Sequence, residues 1–272
     1  MLCQIVLTPW ESKRLIAKAV VQLPEVQYAL KNGIVCIARG TTTSFVVDEI
    51  LTDGSINFEK EKYCMGCIEP DRLCLAQKEN QLPEMSFVRG EIKEIPSKEM
   101  IKEMGSEDVF IKGANAVDCN FEAGILLGSP VGGTIGRAIG AVYAKGINFV
   151  IPVGLEKLIP YSVRDILSFT GFTKVDYAMG MPVGLFPVQG EVITEIQALE
   201  RFDVTIVPIA SGGVNGAEGA IILSMYGDNN KVEKALQVVA SVKGEKPLHI
   251  PTGDCLTCDH TTCAWQGKER SR

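Results

Sequence analysis

Three continuous apolar runs constrain the fold of this chain more than any other feature. They lie in the segments IVCIA (34–38), DVFIKGA (108–114) and NFVIPVG (148–154). Runs of this kind are typical of parallel strands that are buried on both faces. Segments with a helical spacing of apolar residues separate them. The alternation predicts an α/β fold with a doubly wound, mostly parallel sheet.

The helices between these strands have recognisable ends. Residues 8–11 (TPWE) form a capping-box pattern, with Thr8 as the N-cap and Glu11 as its partner. The pair Asn32-Gly33 is a typical C-terminal stop. Further helices are predicted over 45–51, over 97–104 and from Gly132-Gly133-Thr134 through Lys145.

The pattern changes after about residue 170, where strand, helix, strand, strand and helix follow in order. This order is typical of a small α+β domain. The predicted organisation is an α/β domain over 1–170 with a cysteine-bearing insertion at 52–106, a small α+β domain over 171–245, and a cysteine-rich tail over 246–272.

Charge and hydropathy exclude several classes of partner. The 272-residue chain has a net charge of −6 and a pI near 5.2, which argues against a nucleic acid or an anionic membrane surface. No basic residue precedes the apolar run at the N-terminus, which argues against a signal peptide. The most apolar segment, 135–155, is interrupted by polar residues and a proline. A cytoplasmic protein is predicted, with neither a nucleic-acid nor a membrane partner.

Two strand-to-helix junctions have the composition of anion-binding loops. They are RGTTT (39–43) and SPVGGT (129–134). Free backbone N–H groups and the helix dipole at such a junction favour phosphate, and threonine hydroxyls add donors. The alternative is an N-cap cluster that only starts a helix, since the loop at 39–43 matches neither the P-loop nor the dinucleotide fingerprint. No nicotinamide or flavin cofactor is indicated.

Further motifs follow these loops in a recognisable order. They are ESK (11–13), GTT (40–42), KGANAVD (112–118), GGT (132–134) and LEK (155–157). The order over about 10–245 resembles the ribose-5-phosphate isomerase family. That family lies within a larger superfamily with the glucosamine-phosphate deaminases and CoA-transferase-like proteins. The resemblance implies the isomerase/CoA-transferase-like form of the doubly wound sheet.

The resemblance also implies a ligand-binding role for particular residues. Lys13, Thr41, Thr42 and Lys157 would hold a phosphate. Together with the two loops, it defines a candidate set: Lys13, Gly40, Thr41, Thr42, Asn115, Gly132, Gly133, Thr134 and Lys157. The resembled family is oligomeric, and small residues around 136–141 permit close helix packing, so a homo-oligomer, specifically a dimer, is expected.

The acids of the resembled family are largely missing. Enediol chemistry needs a positioned base and an electrophile, but this chain has Lys112, Asn115 and Ser129-Pro130 at the corresponding places. Only the last aspartate of the family's motif has a counterpart in this chain, which is Asp118. Ribose-5-phosphate isomerase activity is therefore not expected. If the protein is an enzyme, a different isomerase- or transferase-like reaction is expected.

Three acids near predicted strand ends are weak catalytic candidates. They are Asp118, Glu122 and Glu156. The alternative for each is a solvated loop carboxylate, since acids are mostly exposed.

The chain has nine cysteines, and six of them cluster. Cys36 and Cys119 lie in or beside predicted buried strands and are expected in the core. The clustered cysteines are Cys64, Cys67 and Cys74 in the insertion and Cys255, Cys258 and Cys263 in the tail. Each trio contains a CxxC pair, which suits tetrahedral metal ligation.

The cysteine pattern leaves two metals open. The two CxxC pairs, Cys64/Cys67 and Cys255/Cys258, would form one four-thiolate zinc site, or each trio with a fourth ligand would hold an iron–sulfur cluster. A redox pair or incidental cysteines are the alternatives. A single site would require the tail to fold back beside residues 52–85.

Two functions follow from the sequence as hypotheses. The first is an enzyme or enzyme-derived protein that binds a phosphorylated small molecule, such as a sugar phosphate, a nucleotide or a CoA-like compound. The second is a non-catalytic regulatory or scaffold protein stabilised by a metal. The anion-type loops favour the first function, and the missing acids favour the second.

Overall fold

The computed structural model of the protein describes residues 1–51, 56–258 and 263–268. The α-helices are α1 (Pro9–Val21), α2 (Pro24–Asn32), α3 (Thr41–Ile50), α4 (Ser97–Glu103), α5 (Gly133–Lys145), α6 (Glu195–Glu200) and α7 (Asn229–Val242). The strands are β1 (Leu2–Leu7), β2 (Ile34–Ile37), β3 (Gly66–Glu69), β4 (Arg72–Leu75), β5 (Met85–Val88), β6 (Glu91–Lys93), β7 (Val109–Ile111), β8 (Ala116–Val117), β9 (Ala123–Leu127), β10 (Asn148–Pro152), β11 (Gly184–Val188), β12 (Glu191–Ile193), β13 (Thr205–Gly212) and β14 (Ala220–Tyr226).

The largest sheet has six strands in the order β12-β10-β7-β2-β5-β6. The first four run parallel to one another, and β5 and β6 are antiparallel to their neighbours. The three apolar runs of the sequence form β2, β7 and β10 in this sheet. The protein is therefore a mixed α/β protein with a mostly parallel sheet, as predicted.

Alternate residues of the sheet enter two different hydrophobic clusters. Val35 of β2 packs in a cluster with residues of α1 and α3, whereas Cys36 packs in another cluster with residues of α4 and α5. This alternation is expected because successive side chains of a strand point to opposite faces. It explains why β2 is apolar at every position, since both of its faces are buried.

The local signals for helix ends are mostly confirmed. Thr8 Oγ1 accepts a hydrogen bond from Glu11 N, and Thr8 N donates to Glu11 Oε2 at 2.9 Å. Helix α2 ends at Asn32 before Gly33. The prediction that the third helix begins at Phe45 was wrong, because α3 already begins at Thr41 and Ser44 N donates to Gly40 O. The threonines are thus in the first helical turn.

A second sheet joins the two ends of the chain in the order β1-β14-β13. Strand β1 pairs antiparallel with β14, with Leu2 opposite Tyr226. Conversely, β12 belongs to the predicted small α+β domain and pairs in parallel with β10 of the largest sheet. Strand pairing therefore crosses the predicted boundary near residue 170 in both directions.

The insertion and the tail meet. Strands β3 and β4 form a hairpin in which Cys67 lies opposite Cys74. The tail returns to the end of this hairpin, since Ala76 bridges Thr252 and Gly253 N donates to Leu75 O at 3.3 Å. The tail therefore folds back beside the β3-β4 hairpin.

Within the residues that the structure describes, none of the helices combines the length and apolar character that crossing a membrane needs. The helix in the most apolar segment, α5, has 13 residues, and a span needs about 20.

Candidate ligand-binding site

A cavity of about 420 Å³ lies where the parallel strands β2, β7 and β10 end. The carboxyl ends of parallel strands meet at one edge of a sheet, so the loops that follow them converge. The structure brings all the predicted ligand residues except Lys13 to this cavity. Those that line it are Gly40, Thr41, Thr42, Asn115, Gly132, Gly133, Thr134 and Lys157.

Two helix N-termini contribute to the cavity wall. Helix α3 begins after Gly40 and α5 begins after Gly132, and among the described residues no side chain caps either helix. The first N–H groups of a helix have no intrahelical acceptor. Both termini therefore present free N–H groups and a positive dipole end at the same cavity, which favours an anion.

Gly132 makes the second terminus possible. Its φ is 74°, in the left-handed region, and a Cβ there would lie 3.0 Å from Gly136 Cα. A residue with a side chain is both strained and crowded at this position. The glycine thus holds the turn that aims the α5 N-terminus at the cavity.

Three of the four hydroxyls at the start of α3, those of Thr42, Thr43 and Ser44, differ in their partners. Thr43 Oγ1 donates to Ala38 O at 2.7 Å and Ser44 Oγ donates to Thr41 O at 2.8 Å. Thr42, unlike Thr43 and Ser44, lines the cavity; it is only 2% exposed, and its Oγ1 has no hydrogen-bond partner in the described part of the chain. An unpartnered buried hydroxyl costs about 1–3 kcal/mol. A ligand oxygen would satisfy it.

The cavity wall is strongly basic. Its charged residues are the cations Arg39, Lys98, Lys112, Arg137 and Lys157 and the single acid Glu84. Glu84 is already engaged, because Oε2 accepts from Ser97 N at 2.7 Å and Oε1 accepts from Thr134 Oγ1 at 3.4 Å. This balance favours a ligand with more than one negative charge.

Two of these cations are desolvated lysines. Burial lowers the pKa of Lys157 to about 8, against the opposing charge of Glu156. Burial also lowers the pKa of Lys112, against the opposing charge of Glu84. Lys157 Nζ donates to Ala114 O at 2.9 Å. A bound anion would favour the charged form of both lysines.

Lys13, a predicted phosphate ligand, lies outside the cavity wall. Its Nζ is 2.6 Å from Glu156 Oε1 in an ion pair whose side chains are largely buried. Nearby, Glu195 Oε2 accepts from Leu155 N at 2.9 Å. Burial, and then the charge of Glu156, raises the pKa of Glu195 to about 7. Lys13 is therefore part of a buried charge cluster beside the cavity.

The catalytic candidates Asp118, Glu122 and Glu156 do not line the cavity. Asp118 is buried and accepts backbone hydrogen bonds from Asn120, Glu122 and Val163 at 2.8–3.0 Å. Burial raises its pKa, but these donors outweigh burial and the pKa lies below its ordinary value. Glu122 pairs with Arg164 at the surface. Asp118 therefore organises a loop.

The cysteines separate into two groups. Cys74, Cys255, Cys258 and Cys263 line a second cavity of about 750 Å³, between the hairpin and the tail. The predicted set of Cys64, Cys67, Cys255 and Cys258 is not assembled there, since neither Cys64 nor Cys67 lines this cavity. In the described parts of the chain, no three His, Cys, Asp or Glu side chains are grouped so as to hold a metal ion.

Of the two cysteines that were predicted to lie in the core, one is buried and the other is exposed. Cys36 is fully buried in β2, as expected. The expectation that Cys119 is a core residue was wrong, because it is exposed. It lies in the turn between β8 and β9, where Asp118 rather than the cysteine faces inward.

Three charged residues of the cavity wall, Glu84, Lys98 and Arg137, were not predicted from sequence. Glu84 immediately precedes β5, whose antiparallel direction places its start at the edge where the parallel strands end. Lys98 lies in the first turn of α4. Arg137 follows the predicted glycine loop by one helical turn. Residues one turn apart lie on the same face of a helix, so this spacing indicates that Arg137 lies near the loop.

Comparison with known proteins adds no assignment. No protein-family model matches the sequence, and no curated protein matches it. The resemblance to the isomerase superfamily therefore stays a prediction.

Proposed function

We propose that the protein binds a phosphorylated small molecule in the cavity between the N-termini of α3 and α5. The observation that carries this proposal is the unpartnered, buried Thr42 hydroxyl at a cavity wall with five cations and one acid. The phosphate accepts hydrogen bonds from Thr42 Oγ1 and from the first N–H groups of the helices. Lys112 and Lys157 supply positive charge to it.

The size of the cavity narrows the ligand class. Small-molecule sites have volumes of about 300–1,000 Å³, and this cavity, at about 420 Å³, is near the lower end. A sugar phosphate or a mononucleotide is enclosed more fully than a CoA-like compound, whose length would leave part of it outside. The first two are the preferred ligands.

We also propose that the protein is a divergent enzyme of the sugar-phosphate isomerase-like superfamily, with a doubly wound sheet. Glu84 is the one carboxylate among the residues that line the described cavity, so it is the candidate general base once the long hydrogen bond from Thr134 Oγ1 to its Oε1, 3.4 Å, is released. Lys112 has the charge to stabilise an oxyanion. The reaction is isomerase- or transferase-like, but it is not ribose-5-phosphate isomerisation. The protein acts in the cytoplasm and forms a homodimer. Light scattering that shows a monomer at micromolar concentration would contradict the dimer.

A second function is favoured by the cysteine-lined cavity. The tail pairs with the hairpin through Ala76 and Thr252, and a metal between them would clamp these segments together. In this alternative the protein is a metal-stabilised regulator or scaffold without catalysis. A metal site and a ligand site are compatible, so the two functions differ in whether a phosphorylated ligand is bound and turned over.

A thermal-shift panel of sugar phosphates, nucleotides and CoA tests the ligand. At a hundredfold excess over the dissociation constant, binding stabilises the fold by about 2.7 kcal/mol. The shift should fall in Thr42→Val and in Arg137→Gln. Thr205→Val and Arg164→Gln, at positions outside the cavity wall, are the matched controls. No shift with any anion would remove the ligand proposal, and equal shifts in all four variants would remove this site.

A further inference from the structure

We infer that Lys112 is a catalytic residue of the ligand cavity, and that its amine forms an imine with the carbonyl group of an open-chain sugar phosphate. The inference rests on the proposed phosphate site and deepens it, because it names the reacting group of the ligand as well as its anion. It also selects between the two preferred ligands, since a mononucleotide has no aldehyde or ketone in its sugar.

Lys112 lies at the centre of the sheet edge that forms the cavity. It is the first residue after β7, the strand between β2 and β10. Ala38 N donates to Ile111 O at 2.9 Å and Lys112 N donates to Val150 O at 3.1 Å, so both neighbouring strands hold this strand end. Helix α3 begins shortly after Ala38, and neighbouring strands lie about 4.8 Å apart. A sugar phosphate is longer than this spacing, so a ligand whose phosphate contacts Thr42 can present its carbonyl carbon to Lys112.

The amine of Lys112 is free to react. Among the described residues it has neither a hydrogen-bond partner nor an ion-pair partner. In contrast, Lys157, the other desolvated lysine of the wall, donates to Ala114 O at 2.9 Å. The Lys112 side chain is partly buried and lines the cavity, so it is shielded from bulk water and remains within reach of a ligand. This difference assigns the covalent role to Lys112.

The surroundings of Lys112 favour a nucleophilic amine. Only the neutral form of a lysine attacks a carbonyl group, and desolvation or a neighbouring cation raises the neutral fraction. Burial lowers the pKa of Lys112 against the opposing charge of Glu84, and the charge of Arg39 lowers it further. A bound phosphate favours the charged amine, but it favours the iminium product as well, because that product is also a cation. Lys112 therefore keeps its charge toward the phosphate after it has reacted.

The covalent step is a condensation that releases water. The Lys112 nitrogen attacks the carbonyl carbon, and the carbonyl oxygen takes the proton that the nitrogen loses, which gives a carbinolamine. The nitrogen lone pair then expels the hydroxyl group as water, with a second proton that Glu84, the one carboxylate lining the described cavity, relays from solvent. The cationic nitrogen of the resulting iminium withdraws electrons from the neighbouring carbon, which activates that carbon for a transferase-like reaction.

Borohydride trapping in the full-length protein tests the inference. The protein is incubated near neutral pH with dihydroxyacetone phosphate, ribose 5-phosphate or fructose 6-phosphate and then reduced with sodium borohydride, which converts the iminium into a stable secondary amine. We expect a single adduct with at least one of these compounds, on the peptide that carries Lys112 and not on the exposed Lys234. Unphosphorylated dihydroxyacetone should give no adduct at Lys112, and excess inorganic phosphate should suppress trapping, because it competes for the site at Thr42.

Two variants separate covalent reaction from binding. Lys112→Arg keeps the positive charge but cannot form the imine, so it should lose the adduct and retain the thermal shift with the same sugar phosphates. Lys234→Arg is the matched control at an exposed lysine, and it should retain both. Peptide mapping of the wild-type protein gives the same information without depending on the folding of a variant.

The outcomes distinguish this inference from the proposed phosphate site. An adduct on Lys157 instead of Lys112 would overturn the inference, as would labelling spread over exposed lysines that phosphate does not suppress. A thermal shift without any trapped adduct would also overturn it, and this result would leave the phosphate site standing. Absence of both the thermal shift and the adduct would overturn the phosphate site and the inference together.

Discussion

Lys13 Nζ lies 2.6 Å from Glu156 Oε1 and joins α1 to the turn that follows β10. Burial raises the pKa of Glu156, but the charges of Lys13 and Lys157 outweigh burial, so the pKa lies below its ordinary value. The other oxygen of Glu156 is buried without a hydrogen-bond partner among the described residues. The ion pair thus keeps Glu156 ionised next to the lysine that enters the ligand cavity.

Lys13→Met should destabilise the protein strongly. It removes one member of a largely buried pair and leaves an uncompensated charge, a change that costs about 3–5 kcal/mol. Urea unfolding measures the effect. Lys93→Met is the control, because Lys93 pairs with Glu91 at the surface, and its change should stay within about 0.5 kcal/mol. Equal losses in the two variants would contradict a structural role for the buried pair.

Glu195 should make stability fall between pH 4.5 and about 7. The pKa of Glu195 is raised from 4.5 to about 7 by burial and by Glu156. In this window the folded protein retains a proton that the unfolded chain has released, so its contribution to stability decreases as pH rises. Glu195→Gln should remove this decrease, which is on the order of 3 kcal/mol at 1.36 kcal/mol per pKa unit.

Chemical unfolding of both proteins at a series of pH values measures this decrease. Glu233→Gln, on the exposed side of α7, should reproduce the wild-type profile. Parallel profiles for wild type and Glu195→Gln would show that the buried carboxyl does not titrate in this window.

Lys157 should make anion binding weaken as pH rises through about 8. Burial lowers the pKa of Lys157 to about 8, so above this pH the cavity loses one positive charge. Sulfate is a suitable probe because its charge is constant in this range. Between pH 7 and 9 the affinity of the wild-type protein should decrease about tenfold, or about 1.4 kcal/mol. Lys157→Gln should bind weakly at both pH values, and the exposed Lys234→Gln should behave as wild type.

Gly132→Ala should weaken both the fold and the ligand site. The positive φ of Gly132 and the 3.0 Å approach of its would-be Cβ to Gly136 Cα predict a loss of about 1–3 kcal/mol. Gly140→Ala is the control within the same helix, since a Cβ there meets nothing within 4 Å. That change should stabilise α5 by up to about 1 kcal/mol. Thermal unfolding with and without a sugar phosphate measures both effects. A stabilising Gly132→Ala would show that the turn tolerates a side chain.

Several features of the site depend on pairings that sequence patterns do not reveal. The order of strand, glycine, hydroxyls and helix indicated the two anion-type loops, and the structure places both at one cavity. The position of Glu84 depends on β5 being antiparallel to β2. The exclusion of Lys13 from the cavity depends on Glu156, which lies 143 residues away in the chain. Neither relationship produces a local signal.

What the sequence alone determined is local. The Thr8–Glu11 capping box and the stop at Gly33 form between residues that are neighbours in the chain. The apolar run of β2 specifies burial on both faces, because alternate side chains face opposite ways.

What tertiary structure decided depends on which segments meet. The pairing of β1 with β14 joins Leu2 to Tyr226, and the tail joins Ala76 to Thr252. A strand edge can pair with many other strands, and a thiol can meet many other thiols. The local sequence around either one therefore does not specify its partner. Chain closure and burial of the whole core select the partner. For that reason CxxC spacing indicated Cys64 and Cys67, whereas the folded chain presents Cys74 to the tail.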